Sequence, residues 1–158
     1  ENTDLPAFMR FGGTTAFVEG WALYSETLGY DMGLFDDPWA RYGTLQDEQL
    51  RAMRLVVDTG IHSKGWTRDQ AIDFMLDNSG MTRTEVENEV DRYIAIPSQA
   101  LAYKIGALKI QELRDRAKEQ LGSRFDIKDF HAQVLNTGGL PLPVLESKID
   151  RWIANGGG

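Results

Sequence analysis

Phe17-Val18-Glu19-Gly20-Trp21-Ala22-Leu23-Tyr24-Ser25-Glu26 sets two carboxylates in an otherwise apolar run. Glu19 and Glu26 are seven positions apart, close to two helical turns, so both acids fall on one side of a helix. Phe17, Val18, Trp21, Leu23, Tyr24 and Leu28 fill the rest of its circumference. A helix that is apolar nearly all round is a buried helix. A carboxylate buried there is costly unless it is ion-paired, hydrogen-bonded or bound to a metal. A metal ion is thus one candidate partner for Glu19 and Glu26.

Outward from this stretch the pattern stays helical. Thr14 or Thr15 caps the first long helix, expected to run to about Met32. Asp36 or Asp37, with Pro38 in the first turn, opens the next helix after a loop at Gly33, as expected of a helix N-terminus. That helix reaches Ser63, with Gly43 as a candidate break and Gly65 as its stop, since glycine readily takes the conformation that ends a helix. Thr67-Arg68-Asp69-Gln70 and Thr82-Arg83-Thr84-Glu85 are capping boxes, predicting helices over about 67–78 and 82–94. Pro97 breaks the run and begins a helix to about Leu121, because proline cannot sit inside a helix without cost. Asp126 opens a short helix ending before Thr137-Gly138-Gly139, and a last helix follows Pro141 or Pro143 to about Asn155. No segment alternates with period two, so no sheet is expected. The expected fold is all-α, an irregular multi-helix array in a single helical domain over residues 1–158 with no internal repeat.

The bulk composition excludes several function classes. A chain of 158 residues with 42% hydrophobic and 26% charged residues is long enough for a packed core. A net charge of -7 argues against a nucleic-acid surface, which is normally basic. There is no cysteine, so disulfides and thiolate zinc sites are ruled out. No apolar run is long enough to span a membrane. The chain starts at Glu1 and stops in Gly156-Gly157-Gly158, and is expected to be a fragment of a longer protein. An upstream signal peptide would make that protein periplasmic or secreted.

Two further stretches carry candidate chemistry. From Leu50 to His62 the polar residues are confined to Arg51, Arg54, Asp58 and His62 plus Thr59, on an otherwise largely apolar helix. A narrow polar stripe fits a buried helix lining a polar cleft, or an internal ion-pair ladder. Asp58, four residues before His62, is positioned to orient the imidazole. His131 lies in an ordinary amphipathic pattern and is expected at the surface. In Arg92 to Gly106, Pro97 redirects the chain and Gln99, Tyr103 and Gly106 share one helical side. A phenol there can donate to a developing oxyanion, although tyrosines in helical cores more often only pack. No site is complete: there is no His-Glu-x-x-His, no nucleophile elbow and no glycine-rich phosphate loop in the chain.

Phe17 through Glu26, Arg51 through His62, Gly65-Trp66-Thr67 and Tyr93 through Gly106, in that order, resemble the C-terminal part of the bacterial domain-of-unknown-function family 885. That family in turn looks like a distant relative of the gluzincin metallopeptidases, such as the thimet-oligopeptidase and carboxypeptidase Taq groups. The resemblance implies a larger helical metallopeptidase-like fold whose zinc-binding His-Glu motif lies upstream of residue 1. It makes Glu19 the third zinc ligand and Glu26 an acid that orients a histidine ligand. It places Tyr103 as the phenol that stabilises the tetrahedral intermediate. It offers His62, Arg54 and Tyr93 as candidates for substrate or transition-state contacts, and Gln99, on the same helical side as Tyr103, is a further candidate substrate contact. The implied reaction of the parent is attack of zinc-activated water on a peptide carbonyl. With its general base and two ligands absent, this chain alone is expected to be inactive and to bind no zinc tightly.

The alternative is a non-catalytic helical binding or scaffold module. The expected partners are a peptide and the N-terminal remainder of the same protein. An exposed apolar surface on the isolated chain would also promote self-association.

Overall fold

The computed structural model describes residues 3–158, which form eight α-helices and no strand. These are α1 (Ala7–Phe11), α2 (Thr15–Asp31), α3 (Pro38–Lys64), α4 (Arg68–Asp77), α5 (Arg83–Ala95), α6 (Leu101–Leu121), α7 (Ile127–Leu135) and α8 (Leu142–Ala154). The all-α expectation holds. They make two compact units: Ser25–Lys104, and the described residues up to Tyr24 together with Ile105–Gly158.

In the Ser25–Lys104 unit, the Asp37 carboxylate accepts the Ala40 N–H at 3.0 Å and Pro38 occupies the first turn of α3. The helix runs without a break through Gly43, so the expected interruption is absent; one glycine costs only about 1 kcal/mol in a helix. Gly65 closes α3 in the left-handed conformation, φ 73°, and the Trp66 N–H bonds the Gly60 carbonyl at 2.9 Å. The Trp66 indole then seats on Gly60, where an added Cβ would lie 2.6 Å from the ring. Both capping boxes form, at Thr67/Gln70 and Thr82/Glu85. Helices α3, α4 and α5 bury Met53, Val57, Ile72, Met75, Val86, Val90 and Tyr93 in one core.

The α6 start differs from expectation. Pro97 does not begin the helix; Ser98 takes a left-handed φ of 69° and α6 starts at Leu101. The chain therefore turns before it becomes helical, which a proline alone does not foretell.

The other unit contains α1, a short helix the periodicity did not indicate, and a 3-10 turn at Gly122–Arg124. Helices α7 and α8 pack together and bury Phe130, Val134, Leu145, Ile149 and Trp152, with Phe130 and Trp152 ring centroids 6.4 Å apart. Asp126 caps α7 by accepting from the Lys128 and Asp129 amides. Helices α2 and α6 meet at Gly20 and Gly106: a Cβ on Gly20 would strike the Gly106 backbone, and one on Gly106 would strike the Ala16 carbonyl and lie 2.7 Å from the Gly20 Cα. Glycine at both positions is what permits this approach.

Candidate functional site

The α3 stripe places two charges in the interior. Arg54 and Asp58, one helical turn apart, are 7% and 1% exposed. A buried ion is costly unless it is paired or hydrogen-bonded; Arg54 is both, and Asp58 accepts a backbone N–H.

Arg54 is held by α5. Its Nη2 donates to Glu89 Oε2 at 2.9 Å and its Nε to the Tyr93 hydroxyl at 3.1 Å. The Tyr93 hydroxyl donates to the same Glu89 oxygen at 2.5 Å, and Arg92 Nη2 donates to it at 3.1 Å. Arg92 Nη1 in turn donates to the Gln99 side-chain carbonyl at 2.7 Å. Glu89 Oε2 is thus the hub of two guanidiniums and a phenol. Burial works to raise the Glu89 carboxyl, but hydrogen bonds from Tyr93 and Arg92 and the Arg54 charge prevail and lower it to about 2. Burial and the Glu89 carboxylate push the Tyr93 phenol well above its ordinary 10.0. For Arg54, burial opposes the charge, yet Tyr93 and Glu89 hold the guanidinium above its ordinary value. All three are fixed in one protonation state at neutral pH.

Tyr103 differs from these. The Arg54 guanidinium carbon stands 5.0 Å from the Tyr103 ring centroid, within cation–π range. The Tyr103 hydroxyl makes no hydrogen bond among the described residues, although the side chain is half-buried. Glu89 Oε1 is likewise without a partner among the described residues. The Tyr93 hydroxyl and the Gln99 side-chain carbonyl are spent on the protein; Tyr103 keeps its hydroxyl.

Asp58 does not orient His62. Its two oxygens accept the backbone N–H of Ser98 at 3.1 and 3.3 Å. Imidazole Nε2 of His62 instead bonds the Tyr93 carbonyl oxygen at 2.9 Å, and the residue is exposed. The four-residue spacing puts Asp58 and His62 on one side of α3, but the left-handed turn at Ser98 presents an amide that claims the carboxylate first.

Glu26 lies in the same unit as this network and is exposed. Desolvation raises its carboxyl; the Arg51 charge opposes this, while Asp47 and Glu48 reinforce it. Arg51 is itself paired with Asp47 at 2.8 Å.

Glu19 belongs to the other unit. It is half-buried on α2 and has no hydrogen bond or ion pair among the described residues. Among those residues no group of three or more His, Cys, Asp or Glu side chains could hold a metal. A catalytic zinc needs three protein ligands, so the described residues do not by themselves fit a zinc ion, and Glu19 supplies at most one carboxylate.

His131 is not the plain surface residue expected. Its Nε2 lies 2.9 Å from the hydroxyl of Tyr24, which is 1% exposed, and its ring meets Trp21 edge-on at 5.3 Å. Desolvation, then the Arg114 charge, lowers its pKa below 6.5. Glu89 and His131 are the two residues that sequence reasoning missed. A buried Arg54 demands an acid, and Glu89 stands four residues before Tyr93 on α5; that spacing was the available signal. Nothing local to α7 points to His131, because its partners come from α2.

The family profile described as "Bacterial protein of unknown function (DUF885)" matches residues 1–149. No curated protein matches. Among solved structures, the chain is 46% identical to a "putative lipoprotein" from Colwellia psychrerythraea, with a TM-score of 0.94 over 98% of this chain and 27% of that one. A "putative lipoprotein of unknown function" from Shewanella oneidensis is 31% identical, with a TM-score of 0.77 over 85% of this chain and 25% of that one. The chain therefore spans about a quarter of the length of these relatives.

Proposed function

The chain belongs to the DUF885 family of bacterial proteins, and on that premise we propose that it is the C-terminal portion of a zinc-dependent peptidase, incomplete by itself. One observation carries this: Glu19 is a half-buried carboxylate with no partner among the described residues. Such a group calls for a cation. Glu19 would supply one zinc ligand and the rest of the protein the others. Tyr103 supports the same reading. Its ring is held by Arg54 and its hydroxyl is unspent, as a donor to a peptide carbonyl oxygen must be. Glu26, with its raised carboxyl, is proposed as an acid outside the ligand set. Asp58 acts on the α6 entry rather than on His62. The names of the two solved relatives support an exported, envelope-associated protein; none of the described helices is long and apolar enough to cross a membrane.

The test is made in the full-length protein that carries this segment. Glu19→Gln should lose bound zinc and peptide hydrolysis together, measured by metal analysis and a peptide-cleavage assay. Glu26→Gln should lose on the order of 10–100-fold in affinity or activity. Tyr103→Phe should keep its zinc and slow turnover. Full zinc occupancy and full activity in Glu19→Gln would remove the peptidase reading and leave a helical binding module.

A further inference from the structure

Around this network two unspent polar atoms are of opposite kind. One is a donor, the Tyr103 hydroxyl; the other is an acceptor, Glu89 Oε1. The acceptor cannot be a proton reservoir, since two guanidiniums and the Tyr93 phenol keep the carboxylate ionised. Nor can it turn freely, since four hydrogen bonds converge on its other oxygen. A fixed acceptor and a hydroxyl donor around one guanidinium match the two sides of a peptide group, which offers one N–H and one C=O. Both residues lie in the Ser25–Lys104 unit, so the pairing needs nothing from elsewhere in the chain.

We propose that Glu89 is a substrate-binding residue: its Oε1 accepts an N–H from the main chain of a bound peptide while Tyr103 donates to a carbonyl of that peptide. The site so formed recognises backbone rather than side chains. It rests on the peptidase reading for the identity of the ligand but not for the metal. Arg54 and Arg92 are positioning residues, because their hydrogen bonds immobilise the Glu89 carboxylate. A cationic ligand is disfavoured by the same two guanidiniums.

The experiment uses the full-length protein stripped of metal and a fluorescein-labelled tetraalanine amide, with binding read by anisotropy. A second set of probes replaces each peptide N–H in turn with an ester oxygen. Wild type should bind the amide about tenfold more tightly than at least one ester, as for one hydrogen bond to a charged acceptor. Glu89→Gln should erase that preference to within about twofold, whereas a merely structural loss would weaken amide and ester alike. Tyr103→Phe, which breaks no internal hydrogen bond and so leaves the fold intact, should weaken every probe by about fivefold to tenfold. Equal amide preference in wild type and Glu89→Gln overturns the proposal, as does unchanged binding in Tyr103→Phe or an absence of peptide binding at millimolar concentration. Because zinc is absent throughout, failure here differs from failure of the peptidase reading: peptide binding of this kind without hydrolysis after zinc is restored would sink only the latter.

Discussion

The Asp58 carboxylate accepts the Ser98 backbone N–H at 3.1 Å, across forty positions of sequence. It joins the middle of α3 to the turn that launches α6, and Ser98 is the only non-glycine residue with a positive φ among the described residues.

That bond should be measurable. Asp58→Ala strands a backbone donor and is expected to cost about 1–3 kcal/mol in urea unfolding. Asp58→Asn, which keeps an acceptor, should cost less. Ser98→Gly should be neutral or stabilising by up to about 1 kcal/mol, because glycine takes a left-handed φ without the steric penalty. A Ser98→Gly loss as large as that of Asp58→Ala would mean that the side chain, not the turn, matters.

Glu89 predicts an acid limb. Its folded carboxyl titrates at about 2 against an ordinary 4.5. A depressed carboxyl binds more protons in the unfolded state, so its contribution is complete above about pH 4.5 and fades as pH falls through about 2. Urea midpoints should therefore drop across that window, and the Glu89→Gln variant should show a shallower drop. Identical slopes would show that other carboxylates set the acid limit.

His131 predicts the same sense nearer neutrality. Its pKa lies below 6.5 when folded. The unfolded chain then takes up the proton first, so the contribution is full above 6.5 and lost as pH falls through the lower, folded value. The imidazole resonances followed by NMR should titrate below 6.5. Tyr24→Phe should leave an imidazole nitrogen without its partner and destabilise the fold by about 1 kcal/mol. A titration at or above 6.5 would show that burial and Arg114 do not depress the imidazole.

The isolated chain should self-associate. Trp39, Tyr42 and Leu45, at 81%, 56% and 56% exposed, stand along the first turns of α3, and Phe8 and Phe11 are 77% and 75% exposed. Light scattering behind a sizing column should report a mass above 17.8 kDa at micromolar concentration. Trp39→Ser with Tyr42→Ser should reduce it. A strictly monomeric wild type would show that these side chains alone do not drive association.

The helices were legible in the sequence because their signals are local. Asp37-Pro38, the two capping boxes and Asp126 each act within one turn, and each forms as read. The site was only half legible. Arg54, Asp58, Tyr93 and Tyr103 stood out by type and spacing, but their partners did not. Glu89 meets Arg54 across 35 positions and Tyr24 meets His131 across 107; no periodicity reaches that far. Asp58 was misread for the same reason, since a neighbour one turn away looked nearer than an amide on a turn forty positions on.

The Gly20–Gly106 crossing has a consequence for how this segment can change. At most sites a bulkier residue can be accommodated by trimming the side chain opposite. Here the obstacles are the Gly106 backbone on one side and the Ala16 carbonyl and Gly20 Cα on the other, and no substitution removes a backbone. Genetic suppressors of Gly106→Ala will therefore not be found across the crossing. Any rescue must come from elsewhere, through general stabilisation, so the two positions stay frozen even where the sequence around them drifts.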